Sequence, residues 1–191
     1  MAVSTLGYAV LGLLAQEPLS GLDLSRVLQK QVASFWHARH SQIYPELARL
    51  EAAGLVAHTV VRQSDRPDKK VYRVTDAGME ALRTWVTAPT ELPATRDEFI
   101  LKVASLWLAE PARAAALLRE HAQRHDERLA LYEGFERDLQ EQSGDELANP
   151  RSPWFATYLT LQRGLSFERE YAAWCRSAAE QVERGVQAGN E

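Results

Sequence analysis

The side chains with the types and spacing for chemistry are few, and most suit recognition rather than bond making. His121 and His125 stand at i, i+4, one above the other on a helical face, a separation that can hold a metal ion, and His37 with His40 could clamp one likewise. Ala122 follows His121 where a His-Glu-x-x-His hydrolase carries its general base, and neither pair has an evident third ligand. Both pairs therefore read as surface histidines or histidines beside a nucleic acid, with no metal or other cofactor expected. With no nucleophile elbow, no phosphate-binding glycine loop and no Cys-x-x-Cys, an enzyme is not expected either. The single cysteine, Cys175, lies on a helical pattern and can form no internal disulfide, which fits a reducing cytoplasm and a small buried apolar residue. A redox sensor would need exposure and positive charge, which Arg176 alone does not supply.

Recognition chemistry gathers between His40 and Lys70. The Gln42 amide can pair with adenine N6 and N7, Arg49 can reach a guanine or a phosphate, and Ser41 with the free first-turn N–H groups can bind phosphate. Tyr44 and Pro45 flank them, and His40 precedes them. Arg66, Lys69 and Lys70 bring three cations to one short segment, although Asp65 and Asp68 dilute their field. The partner that suits this set is double-stranded DNA.

Two elements must position these residues. Ile43, Leu47 and Leu50 recur at i, i+4 and i+7 and give one helix a buried face. Its opposite face carries the small residues Ser41, Pro45, Ala48 and Ala52, which let a backbone approach a groove closely. Ser41 is expected as N-cap, Pro45 in the first turn or so, and Gly54 as the residue that closes the helix. Val56 to Arg62 and Val71 to Val74 alternate β-branched and aromatic residues around the turn-forming SDRPDKK, predicting a hairpin with the cations at its tip.

Upstream, a helix from about Ser4 to Gln16 buries Leu6, Val10, Leu13 and Leu14, and a second, capped by Ser20, turns Leu24, Val27 and Leu28 inward. The start of that second helix, at Ser20, is a further candidate phosphate contact. After the hairpin, Thr75 and Asp76 open a helix striped by Leu82, Trp85 and Val86. Three helices and a two-stranded wing make a winged helix-turn-helix, which sets one helix in the major groove with a charged ribbon beside it.

Pro89 and Pro93 mark a linker at 89–95 between this domain, 1–88, and an all-helical domain, 96–191, so the fold class is mostly α. Thr95 or Asp97 caps a helix whose apolar side is Phe99, Ile100, Val103, Leu106 and Trp107 and which stops at Glu110. Pro111 opens a long helix through about Gln142, with Leu117, Leu118, Leu129, Tyr132, Phe135 and Leu139 recurring. Ser143 to Pro153 is a loop, and a last helix from about Trp154 to Val186 carries Tyr158, Leu161, Leu165, Glu168, Tyr171 or Ala172, and Cys175 along one side. Two helices of about thirty residues would each run roughly 45 Å. They call for a partner, and a homodimer would present two reading helices about one DNA turn apart, roughly 34 Å. The competing arrangement is a monomer in which the two fold back on each other.

Charge is consistent with that division. Residues 1–90 hold 10 Lys+Arg and 8 Asp+Glu, net +2, while the remainder is net -6, so the first half is the better polyanion partner. Aromatic residues near a domain junction could line an effector pocket, with Trp107 and Trp154 at helix ends and His121 and Tyr158 as polar handles. No apolar stretch reaches the roughly 20 residues of a membrane helix, and the N-terminus lacks the positive charge of a signal peptide. A soluble protein inside the cell is expected.

The runs LGYAVLGLLAQEPLSGLDLSRVL, FWHARHSQIYPELARLEAAGLV and RPDKKVYRVTDAG together resemble the N-terminal domain of PadR-family transcriptional regulators. The most specific parts are Ser41 to Leu55 and Lys69 to Gly78, and the helical second half is similar in plan to the long-tailed subgroup of that family. Leu22 departs from it, since an aromatic often follows the Ser-Gly pair. The resemblance implies a bacterial, dimeric, mostly repressing regulator of an inverted-repeat operator, relieved by small molecules in several members. It maps the reading helix onto Ser41 to Gly54 and the wing onto Val56 to Val74. A winged-helix adaptor that binds only protein is the alternative, with a metal-dependent hydrolase a distant third. An adaptor would have the small face of the Ser41 helix and the basic tip covered.

Overall fold

The computed structural model describes residues 3–28, 40–62, 68–91 and 96–188. The chain forms two compact units, 1–92 and 93–191.

In the first unit, α1 (Thr5–Leu14) starts when Ser4 caps it, its Oγ accepting from the Gly7 N–H at 2.9 Å. A two-residue strand β1 (Leu19–Ser20) leads into α2 (Gly21–Val27), and α3 (His40–Ala52) precedes the hairpin of β2 (Val56–Val61) and β3 (Lys69–Val74). Thr75 then caps α4 (Asp76–Val86), accepting from the Gly78 N–H. The sheet order is β1-β3-β2, all antiparallel, with Leu19 opposite Tyr72 and Val56 opposite Val74. Its core is Val10, Leu11, Leu13, Leu14, Leu24, Leu28, Ile43, Leu47, Leu50, Val56 and Tyr72. Tyr8 of α1 and Trp85 of α4 stack with centroids 4.5 Å apart and an interplanar angle of 7°.

Several expectations need correction. The helix expected to be capped by Ser41 already includes His40, so Ser41 stands in its first turn, and Pro45 lies inside the helix rather than near its start. Pro45 is exposed, so water can take the carbonyl bond that a proline nitrogen cannot donate. The third strand, β1, went unforeseen because two residues carry no alternation. Val86 faces solvent instead of the core.

In the second unit, Asp97 caps α5 (Glu98–Val103), accepting from Phe99 N at 2.9 Å and Ile100 N at 3.2 Å. That helix does not run on to Glu110: it turns at Ala104 and Ser105 into a 3-10 turn, Leu106–Leu108, which leaves Trp107 80 % exposed. Glu110 caps α6 (Pro111–Ser143) by accepting from the N–H groups of Ala112 and Arg113. A 3-10 turn at Gly144–Ala148 lies within the expected loop and precedes α7 (Pro153–Ala188).

α6 and α7 pack antiparallel along a seam rich in small residues. Ala114, Ala115, Ala122, Ala172 and Ala179 are buried there beside Leu118, Tyr132, Leu139, Leu165 and Cys175. The rim is tied by Arg119 to Glu183, with donors at 3.1 and 2.6 Å, by Arg176 to Asp126 at 2.6 Å and by Arg169 to Glu133 at 3.4 Å. The fold-back arrangement of the two long helices is thus present within the chain.

Candidate nucleic-acid interface

Helix α3 divides cleanly into two faces. Ile43, Leu47 and Leu50 are sealed in the core, while Ser41, Gln42, Tyr44, Pro45, Ala48, Arg49 and Ala52 are all exposed. The face that a protein adaptor would need to cover is open within this unit. The helix ends in a complete Schellman motif: Gly54, at φ 72°, donates to Glu51 O and Leu55 to Leu50 O, both at 2.9 Å, and Leu55 packs on the core that holds Leu50. Thr75 Oγ1 donates to Gly54 O at 2.7 Å and joins that end to the start of α4.

The exposed face of α3 is set by two contacts that spacing alone did not disclose. Gly21 opens α2 directly beneath Tyr44; a Cβ there would stand 2.6 Å from Tyr44 Cε1, so glycine permits the close approach of the two helices. Glu46, only 4 % exposed, lies on the buried side of α3. Its Oε1 accepts from Ser4 Oγ and its Oε2 from Arg49 Nη1, each at 2.7 Å. It sits at i+3 from Ile43, so helical periodicity could have found it; its charge concealed it.

The wing's two lysines differ. Lys69 Nζ donates to Asp23 Oδ2 at 2.8 Å, tying β3 to α2, whereas Lys70 is exposed. Lys69, and then the Ser20 hydroxyl, hold the Asp23 carboxyl below the usual carboxylate range. Ser20 is buried, accepting from Asp23 N at 3.3 Å and donating to Asp23 Oδ2 at 2.7 Å, so its side chain serves as a cap. Arg66, His37 and Thr95 lie outside the described residues, and His40 enters only as the start of α3.

In the second unit, α5, α6 and α7 assemble a dense aromatic cluster. Phe99 stacks on His121 with centroids 3.5 Å apart and His125 on Tyr171 at 4.3 Å, while the Tyr171 hydroxyl donates to Asp97 Oδ2 at 2.8 Å. His125 also pairs with the buried Glu168, which Arg128 approaches at 3.5 Å. Burial, and then His125, hold the His121 imidazole below its ordinary value; burial, and then the Asp97 bond, push the Tyr171 phenol up. Burial pushes the Cys175 thiol up to about 11, the opposite of what a reactive thiol needs. No group of three or more His, Cys, Asp or Glu able to hold a metal occurs among the described residues.

The four candidate effector residues are not brought together. His121 sits in this cluster, while Trp154 and Tyr158 open α7 at the other end of the hairpin, roughly 30 Å away along the helix axis. Trp107 lies on the turn before α6. No described helix is long and apolar enough to cross a membrane.

Comparison with known proteins accounts for both units. Residues 10–84 match the Transcriptional regulator PadR-like family and residues 95–183 match Virulence activator alpha C-term. The negative transcriptional regulator PadR of Bacillus subtilis is 32% identical over 180 residues, spanning 94% of this chain and 98% of that protein. The crystal structure of Bacillus subtilis PadR in complex with operator DNA is similar at a TM-score of 0.85 and 31% identity, covering 94% of this chain and 99% of that one. The structure of the same regulator in complex with p-coumaric acid is similar at a TM-score of 0.80 and 30% identity, with the same coverage. By its identity over nearly the full length of such a relative, by both matched segments and by its winged-helix fold, the chain belongs to the PadR-like family of transcriptional regulators.

Proposed function

We propose that this protein is a sequence-specific DNA-binding repressor that acts as a homodimer on an inverted-repeat operator and is released by a small-molecule effector of the phenolic-acid class. The observation that carries the reading is the clean division of α3: its apolar side is locked into the core while Ser41, Gln42, Tyr44, Pro45 and Arg49 stand on the open side, in a fold shared with an operator-bound relative. Gln42 reads a base edge, Arg49 a guanine or phosphate, and Lys70 on the wing a phosphate. Exposed Leu101, Trp107, Leu108, Leu131 and Leu159 on the second unit supply apolar surface for a second copy.

The test is fluorescence anisotropy on the promoter fragment of the protein's own gene across a salt series. Binding falls linearly on a log–log plot, with a slope of about -0.9 per neutralised phosphate, and Gln42→Ala relaxes preference at one base pair by about 1–3 kcal/mol. p-Coumaric acid releases the complex. Quenching of Trp107 or Trp154 fluorescence, compared in Trp107→Phe and Trp154→Phe proteins, reports which end of the helical unit the effector meets. Absence of any salt-dependent duplex binding refutes the reading.

A further inference from the structure

Arg49 is the cation on the open face of α3, and it is not independent of the core. Its guanidinium is held at 2.7 Å by Glu46, whose side chain is 5% exposed against 62% for that of Arg49. The carboxylate is fixed in turn by Ser4 Oγ at 2.7 Å, and Ser4 is itself fixed as the cap of α1 through Gly7 N at 2.9 Å. Gly7 leaves the room this requires, since a Cβ there would come 2.6 Å from Glu46 Oε1. A buried carboxylate anchored on one side and a solvent-facing guanidinium on the other make a rigid mount for a charged donor, where a lone surface arginine would sample many rotamers.

We propose that Glu46 is a positioning residue for specificity: it aims Arg49 on the reading face and offsets its charge, so that Arg49 contributes to discrimination between operator and random duplex more than to bulk attraction for phosphate. This role rests on the reading of α3 as the DNA-contacting helix. The physical logic is that a fixed donor rewards only the base or phosphate placed to meet it, whereas a mobile, unpaired cation follows any polyanion. Glu46 therefore acts through Arg49 without touching DNA.

The experiment compares wild type, Glu46→Gln, Arg49→Ala and the double variant by anisotropy on operator and on scrambled duplex across a salt series, with thermal melts to confirm folding. Gln keeps the shape and an acceptor for Ser4 but frees the charge of Arg49. Glu46→Gln is expected to tighten binding to scrambled duplex, steepen its salt slope by about 0.9, and lower the operator-to-scrambled ratio about fivefold. In the Arg49→Ala background the same change is expected to alter neither quantity. A slope and ratio equal to wild type, or an effect of equal size without Arg49, overturns the role. A second readout needs no variant and no DNA: 15N relaxation of the Arg49 Nε–H shows a restrained group, and a freely mobile one overturns the proposal. Wild-type protein that binds no duplex overturns the DNA reading and this role with it. Wild-type protein that binds normally while Glu46→Gln matches it overturns the role of Glu46 alone.

Discussion

Lys69 and Lys70 are neighbours in sequence with different electrostatic surroundings. Because Asp23 already neutralises Lys69 at 2.8 Å, its charge is largely committed within the unit, whereas Lys70 is exposed. Lys70→Ala should flatten the salt dependence of operator binding by about 0.9, and Lys69→Ala by clearly less; equal effects in the same anisotropy titrations would contradict the assignment. His121 gives a second prediction. Its pKa is lowered in the folded protein, so once pH drops below about 6.5 the unfolded chain binds the extra proton more readily. The stability tied to its neutral form is full above that pH and is lost as pH falls through the folded value. Melting temperatures measured from pH 7.5 to 5 should therefore fall less steeply in His121→Phe, which keeps the ring stacked on Phe99 but cannot titrate.

Gly78 shows how one element depends on another. A Cβ there would come 2.1 Å from the Leu55 carbonyl oxygen, which accepts from Thr75 N at 3.0 Å. That obstacle is backbone, not a flexible side chain, so Gly78→Ala must push α4 away from the end of α3, at about 1–3 kcal/mol of overpacking, read as a lowered denaturation midpoint. The faces of α3 were legible in the sequence because Ile43, Leu47 and Leu50 are apolar and regularly spaced, and its end was legible because Gly54 is the residue type a left-handed terminus prefers. Glu46 was not, since a carboxylate on an apolar stripe reads as a solvated residue until Ser4 is brought to it by tertiary folding. Strand β1 is too short to show a period. The α6 and α7 seam was only half legible: leucine marks a buried stripe, whereas alanine is common on either side of a helix and its burial depends on a neighbouring helix coming close. The break after Val103 was hidden because Leu106 and Trp107 continue the apolar spacing while the backbone changes to a tighter turn.

At the scale of the whole molecule, the proposed homodimer fixes the distance between its two reading elements, so on that reading operator half-sites must match it in both separation and rotational phase. Inserting five base pairs between the half-sites turns one of them to the far side of the duplex. Operator affinity should drop toward its non-specific level, whereas an insertion of a full turn restores the phase but not the separation, so affinity recovers only as far as the dimer can span the longer distance; light scattering on the same samples should show two chains per duplex. The helical hairpin that supplies the second unit also carries a built-in probe of its own integrity. Cys175 is the chain's one thiol and has no exposed surface. An alkylating reagent can therefore reach it only in those moments when α6 and α7 part, and the rate of modification counts those openings. With the reagent in excess, that rate should level off at the rate of separation, so occupancy of the protein by effector or duplex can be followed as a slowing of a single covalent reaction, with no label introduced.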